Sequence, residues 1–118
     1  MNTLAQLFLL IPILLLSLAA HEFAHAKMAD LLGDPTPKMS GRLTLNPMAH
    51  LSLLGTLVLL LTRRFGWAKP VPINPRYFKD QRKGMMLVGV AGPLANILLA
   101  VILVLVFKGT RIYLFNFL

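Results

Sequence analysis

Two long apolar stretches, one near each end of the chain, enclose a polar and proline-rich middle. From Leu4 to Ala20 only Gln6 and Ser17 are polar, and from Leu87 to Phe107 only Asn96 is strongly so. A helix needs about 20 apolar residues to cross a hydrocarbon core about 30 Å thick, and both stretches meet that length. The first, carried to the residue before Gly33, predicts a helix over 4–32 about 43 Å long, with Pro12 as a point of kinking. The second, bounded by Arg82, Lys83 and Lys108, predicts a helix over 84–107. A third apolar stretch, 51–62, is interrupted by Ser52, Gly55 and Thr56 and is too short to span, so it is expected to enter the membrane and return. A thinned full span is the alternative for it. Lys108-Gly109-Thr110-Arg111 reads as a turn, which leaves 108–118 as a tail that begins a further apolar helix.

The middle has the grammar of extended chain. Arg42-Leu43-Thr44-Leu45-Asn46 alternates polar and apolar before Pro47, which predicts a short edge strand within an extended insert over 36–50. Pro70, Pro72 and Pro75 rule out helix in the following basic loop, 63–83. Such a strand either pairs with an unwound substrate through main-chain hydrogen bonds or only closes over the neighbouring helix. The expected fold is therefore a single all-α membrane domain over 1–118. It has two spanning helices, a short re-entrant segment, a small extended or β-strand insert and the start of a further helix.

Composition agrees, with 57% hydrophobic residues and a mean hydropathy of +0.72. The net charge of +8 fits a lipid surface better than a nucleic acid, because no basic patch is interleaved with stacking aromatics. Ten of the twelve Lys and Arg residues lie between Lys27 and Lys83. If 51–62 returns to its side of entry, all ten face the cytoplasm. A cleaved signal peptide is the rival reading of the first stretch, but Met1-Asn2-Thr3 carries no basic residue. The chain has no cysteine, so disulfides and thiolate metal sites are excluded and imidazole and carboxylate remain as strong zinc ligands.

Candidate chemistry sits at the end of the first apolar stretch, where His21-Glu22-Phe23-Ala24-His25 is an H-E-x-x-H motif. Four residues apart on a helix, His21 and His25 share a face and can reach one metal, with Glu22 about 100° round from His21. Zn²⁺ held by three protein ligands lowers the pKa of a bound water from about 15.7 to about 7. Glu22 is then expected to act as the general base and to return the proton to the leaving amine. Ionisable groups inside an apolar helix are costly, which also points to function.

Together with Gly41-Arg42-Leu43-Thr44-Leu45-Asn46-Pro47, Ala49-His50, Phe65-Gly66-Trp67-Ala68-Lys69-Pro70-Val71-Pro72-Ile73-Asn74-Pro75 and Ala91-Gly92-Pro93-Leu94-Ala95-Asn96, this motif resembles the compact bacterial and archaeal branch of the site-2 protease family. The resemblance runs from about residue 19 to 100. It implies an intramembrane zinc metallopeptidase in a prokaryotic cell membrane, acting on transmembrane protein substrates. By the same resemblance Gly92, Pro93 and Asn96 belong to the active-site wall. Counting helix rise from the basic border puts His21 about 9 Å deep, Gly92 and Pro93 about 13 to 15 Å, and Asn96 about 20 Å. That casts Asn96 as a clamp on a substrate backbone or a neighbouring helix rather than a metal ligand.

The family's third ligand, an aspartate in an Asp-Gly motif on a further helix, has no counterpart among these 118 residues, so the chain is expected to be truncated before it. Asp30, Asp34 and Asp80 are poorly placed to replace it, and His50 is the other candidate. Three readings stay open: a zinc metallopeptidase or a piece of one, a noncatalytic relative that binds a partner, and a membrane metal-binding or transport element. A carrier has no use for a general base between its ligands.

Overall fold

The computed structural model describes residues 3–117. Its helices are α1 (Thr3–Leu31), the single turn α2 (Thr36–Met39), α3 (Leu53–Thr62) and α4 (Gln81–Phe117), with 3-10 turns at Pro47–Ala49 and Pro75–Tyr77. No strand forms among the described residues, and α1 packed against α4 makes the body of the molecule.

At 29 and 37 residues, α1 and α4 are about 43 and about 55 Å long, more than a bilayer core requires. In each, only 6% of the most apolar window is buried. A soluble core helix would cover that surface with protein, so these two are exposed as spans of a membrane protein are. Pro12 and Pro93 both lie inside continuous helix.

The ends of the spans are built by local chemistry. α1 stops in a Schellman motif, in which Gly33 takes a positive φ of 101°. Its N–H donates to Asp30 O and that of Asp34 to Ala29 O. The Asp80 carboxylate caps α4 by accepting from the Lys83 N–H at 3.1 Å. Between them Ala29, Phe78 and Val88 form a small core with Met28, Leu32 and Ile73 around it. Asp34, fully buried, ties the connection together: its carboxylate accepts from the N–H of Thr36 at 2.9 Å and of Asn74 at 2.7 Å.

Two expectations need correction. The edge strand over 42–46 does not form, since this stretch bends and its alternation is used instead to bury Arg42. Asn46 then caps the turn at Pro47 by accepting from the Met48 N–H. The only pairing among the described residues is an isolated antiparallel bridge between Leu51 and Ala68. Finally, no turn interrupts 108–111: α4 continues through it, so no further helix begins at 112. A single glycine costs a helix about 1 kcal/mol, too little to end one flanked by good helix formers.

The short apolar segment does turn back on itself. Ser52 caps α3 by accepting from the Gly55 N–H, and Arg63 ends it in the left-handed conformation. The returning chain then packs so closely that a Cβ on Gly55 would overlap the carbonyl oxygen of Trp67. The Leu51–Ala68 bridge, with Lys69 N–H donating to His50 O at 2.8 Å, brings exit beside entry. The chain thus leaves along α3 and comes back beside its point of departure, as a re-entrant segment would.

Candidate metal centre

α1 and α4 run antiparallel and meet in three layers one helical turn apart. Ser17 faces Asn96, the two motif histidines face Gly92, and His25 also reaches Val88. Spacing of four residues on both helices produces this stacking, because i and i+4 share a face.

In the middle layer the Nε2 atoms of His21 and His25 lie 3.0 Å apart, with the rings edge to face. Two imidazoles on one tetrahedral zinc, each about 2.05 Å from the metal, have nitrogens about 3.3 Å apart, so the pair is set near the required spacing. His25 Nδ1 donates to the carbonyl of Val88 at 2.6 Å. That bond fixes the tautomer and leaves Nε2 as the lone-pair donor, the outer-shell arrangement common to metal-binding histidines.

Gly92 admits both rings. A Cβ there would sit 2.5 Å from His25 Nε2 and 2.7 Å from His21 Nε2, so α4 approaches α1 here only because residue 92 has no side chain. Asn96 lies one turn away, where its amide donates to Ser17 Oγ at 3.0 Å while Oδ1 is buried without a partner. It clamps the neighbouring helix. The axial offset from His21 is one turn, about 6 Å, smaller than depth counting suggests. The helix register places Lys83 opposite residue 30 rather than Lys27, so the basic border is slanted. Pro93, next to Gly92, is exposed on α4. Its missing N–H leaves the carbonyl of Gly89 without a helical donor.

Glu22 and His25 open on a cleft of about 300 Å³ completed by Pro70, Val71, Ile73, Met85, Val88 and Gly89. Glu22 has no hydrogen-bond partner among the described residues. The extended wall of the cleft is thus 70–73, not the predicted strand at 42–46. The main-chain groups of Val71 and Ile73 likewise have no hydrogen-bond partner among the described residues.

His50 is not a metal ligand candidate here. It is fully buried, with Nε2 donating to Thr44 O at 2.8 Å and Nδ1 facing Arg42 at 3.2 to 3.3 Å. Asp34 braces the loop and Asp80 caps α4, so neither is free. Among the described residues no group of three or more His, Cys, Asp or Glu comes together to hold a metal. The arrangement fits zinc as far as two imidazole donors and a neighbouring carboxylate, and supplies no third protein ligand.

Sequence reasoning did not assign Ser17, Val88 or Arg42 to the neighbourhood of the site. Ser17 had a signal, being one turn before His21 and polar inside an apolar run. Val88 acts through its carbonyl, which no side-chain pattern reveals.

Two curated proteins are similar. "Putative zinc metalloprotease YwhC" of Bacillus subtilis (strain 168) is 50% identical over 93 residues, covering 79% of this chain and 42% of that protein. "Putative zinc metalloprotease Rip2" of Mycolicibacterium smegmatis is 37% identical over 94 residues, covering 75% of this chain and 36% of that protein. The chain spans less than half the length of these relatives. No family model and no solved structure matches it. Both relatives are named as zinc metalloproteases, and this chain matches them with a helix pair that carries an H-E-x-x-H motif. The similarity is consistent with a member of the site-2 protease family.

Proposed function

We propose that the chain contributes the metal-bearing core of an intramembrane zinc metallopeptidase that hydrolyses transmembrane protein substrates near the cytoplasmic membrane face. The observation that carries this reading is the histidine pair, with Nε2 atoms 3.0 Å apart and His25 locked by Val88 O, inside helices whose apolar surface is exposed. His21 and His25 would hold zinc, which when bound supplies Lewis acidity to a water and to a scissile carbonyl.

The chain's own residues do the rest. Glu22, whose carboxylate has no hydrogen-bond partner among the described residues, accepts a proton there and can return it to a leaving amine. Val71 and Ile73 offer main-chain donors and acceptors to an unwound substrate segment laid along 70–73. The Asn96–Ser17 bond lies one turn from the rings in the same helix register, which is set by their fit against Gly92. The hairpin 51–68 closes at the Leu51–Ala68 bridge with Arg63 and Arg64 at its tip, and a shared side for the eight basic residues from Lys27 to Lys83 that lie outside it fits the distribution of charge.

In a preparation that cleaves a reporter transmembrane peptide, Glu22→Gln should abolish cleavage while metal content by elemental analysis is kept. His21→Ala or His25→Ala should lose both. Cleavage by the Gln variant at the parent rate would sink the assignment of the base.

A further inference from the structure

Beyond the Lys69 N–H bond to His50 O, the Lys69–Ile73 wall of the cleft has no strand partner among the described residues, so side chains must hold it in place. Its far end is pinned by Asp34, which accepts from the Asn74 N–H. Its near end is held at its first residue by the main chain, Lys69 N–H donating to His50 O, and beyond that by one side chain. Arg42, only 6% exposed, donates through Nη2 to Lys69 O at 2.5 Å and through Nη1 to Pro70 O at 2.9 Å.

The remaining face of the same guanidinium meets His50. Nε and Nη2 lie 3.3 and 3.2 Å from His50 Nδ1. Arginine has no acceptor, so Nδ1 must accept and the His50 proton is on Nε2, where it donates to Thr44 O. His50 is in turn anchored at the hairpin base, its carbonyl accepting from the Lys69 N–H at 2.8 Å. Every polar ring atom of His50 is therefore used, and the planar fork of Arg42 spans three acceptors that a point charge cannot serve together.

We propose that Arg42, backed by His50, is a positioning residue that seats the Lys69–Ile73 wall against Glu22 and His25 and so sets the width of the substrate cleft. Its fork and not only its charge is what the arrangement requires. Burial lowers the pKa of Arg42, and the charge of Glu22 partly opposes that shift. The consequence for cleavage rests on the peptidase reading given above. The consequence for the wall does not.

The chain has no cysteine, so Val71→Cys gives a single reporter on the wall. In the full chain reconstituted in detergent, its maleimide labelling rate is compared in the parent, Arg42→Ala, Arg42→Lys, His50→Ala and His50→Gln backgrounds. Labelling should rise at least about tenfold in Arg42→Ala, Arg42→Lys and His50→Ala. It should return to within about threefold of the parent in His50→Gln, which can still accept from Arg42 and donate to Thr44 O. Labelling of Arg42→Lys at the parent rate would overturn the proposal, since charge alone would then suffice.

Disulfide formation between Ser17→Cys and Asn96→Cys checks the helix pair in the same backgrounds. It should persist in Arg42→Lys, and its loss would count against the proposal by showing that Arg42 holds the whole fold and not the wall. Labelling needs no catalysis, so failure of the peptidase reading leaves this arm intact. Where a reporter peptide is cleaved, Arg42→Lys should raise KM several-fold and leave kcat within about twofold, and a fall in kcat alone would refute a positioning role.

Discussion

Gly92→Ala tests the packing of the metal centre most directly. The added Cβ would fall 2.5 Å from His25 Nε2, 2.6 Å from His25 Cε1 and 2.7 Å from His21 Nε2, all inside the closest approach real Cβ atoms make. Relief must come either from separating α1 and α4 or from turning one imidazole away. The first breaks the Ser17–Asn96 and His25–Val88 hydrogen bonds, and the second abandons the 3.0 Å spacing of the donors. Overpacking of this kind costs about 1–3 kcal/mol. If the rings absorb the strain, metal affinity falls by about 5-fold to about 150-fold. Gly109→Ala is the matched control, because nothing lies within 4 Å of its Cβ position and alanine is favoured over glycine in helices by about 0.5–1 kcal/mol. Cobalt titration of the purified chain, followed by absorption, and thermal unfolding in detergent read the two effects. Gly92→Ala should weaken binding or lower the unfolding temperature, and Gly109→Ala should do neither. Equal behaviour of the two variants would refute the argument that α4 approaches the histidines through the gap at residue 92.

Two further outcomes follow from bonds described above. Asp34→Ala strips the acceptor from two main-chain donors, Thr36 N–H and Asn74 N–H, and should destabilise the loop by about 2–4 kcal/mol. Limited proteolysis between residues 69 and 80 should detect it, with Asp34→Asn intermediate. Asn96→Ala removes a single interhelical bond together with an unpartnered buried oxygen, so its cost should stay near the membrane average of about 0.6 kcal/mol. Thermal unfolding indistinguishable from the parent, or lower by a few degrees, is the expected result, and cobalt affinity should hold within about twofold.

Legibility in the sequence followed the range of the interactions. The spans were readable because hydropathy acts residue by residue over some 20 positions, and the pairing of His21 with His25 because helical periodicity alone puts them on one face. The level of Gly92 was nearly readable from helix rise, and the error in Asn96 came from treating Lys27 and Lys83 as one flat border. Arg42–Asn46 misled because alternation also arises when one long polar side chain must be buried and its neighbours exposed. Nothing in the local pattern says that Arg42 will seek carbonyls 27 and 28 residues away. The continuation of α4 through Gly109 was missed for the opposite reason, a turn signature of Lys-Gly-Thr-Arg being outweighed by the helix on both sides.

The antiparallel pairing of Ser17 with Asn96, of the histidines with Gly92 and of His25 with Val88 also restricts how the two spans can move. Sliding α4 along α1 by one turn would bring the side chain of Val88 or of Asn96 to the place where two imidazole rings fit only against a bare Cα. Neither leaves room. The helices therefore have one seat and no graded adjustment, in the manner of a ratchet with a single notch. Motion within these residues then falls to the wall, which hangs largely from the side chains of Arg42 and Asp34, and not to shear between the spans.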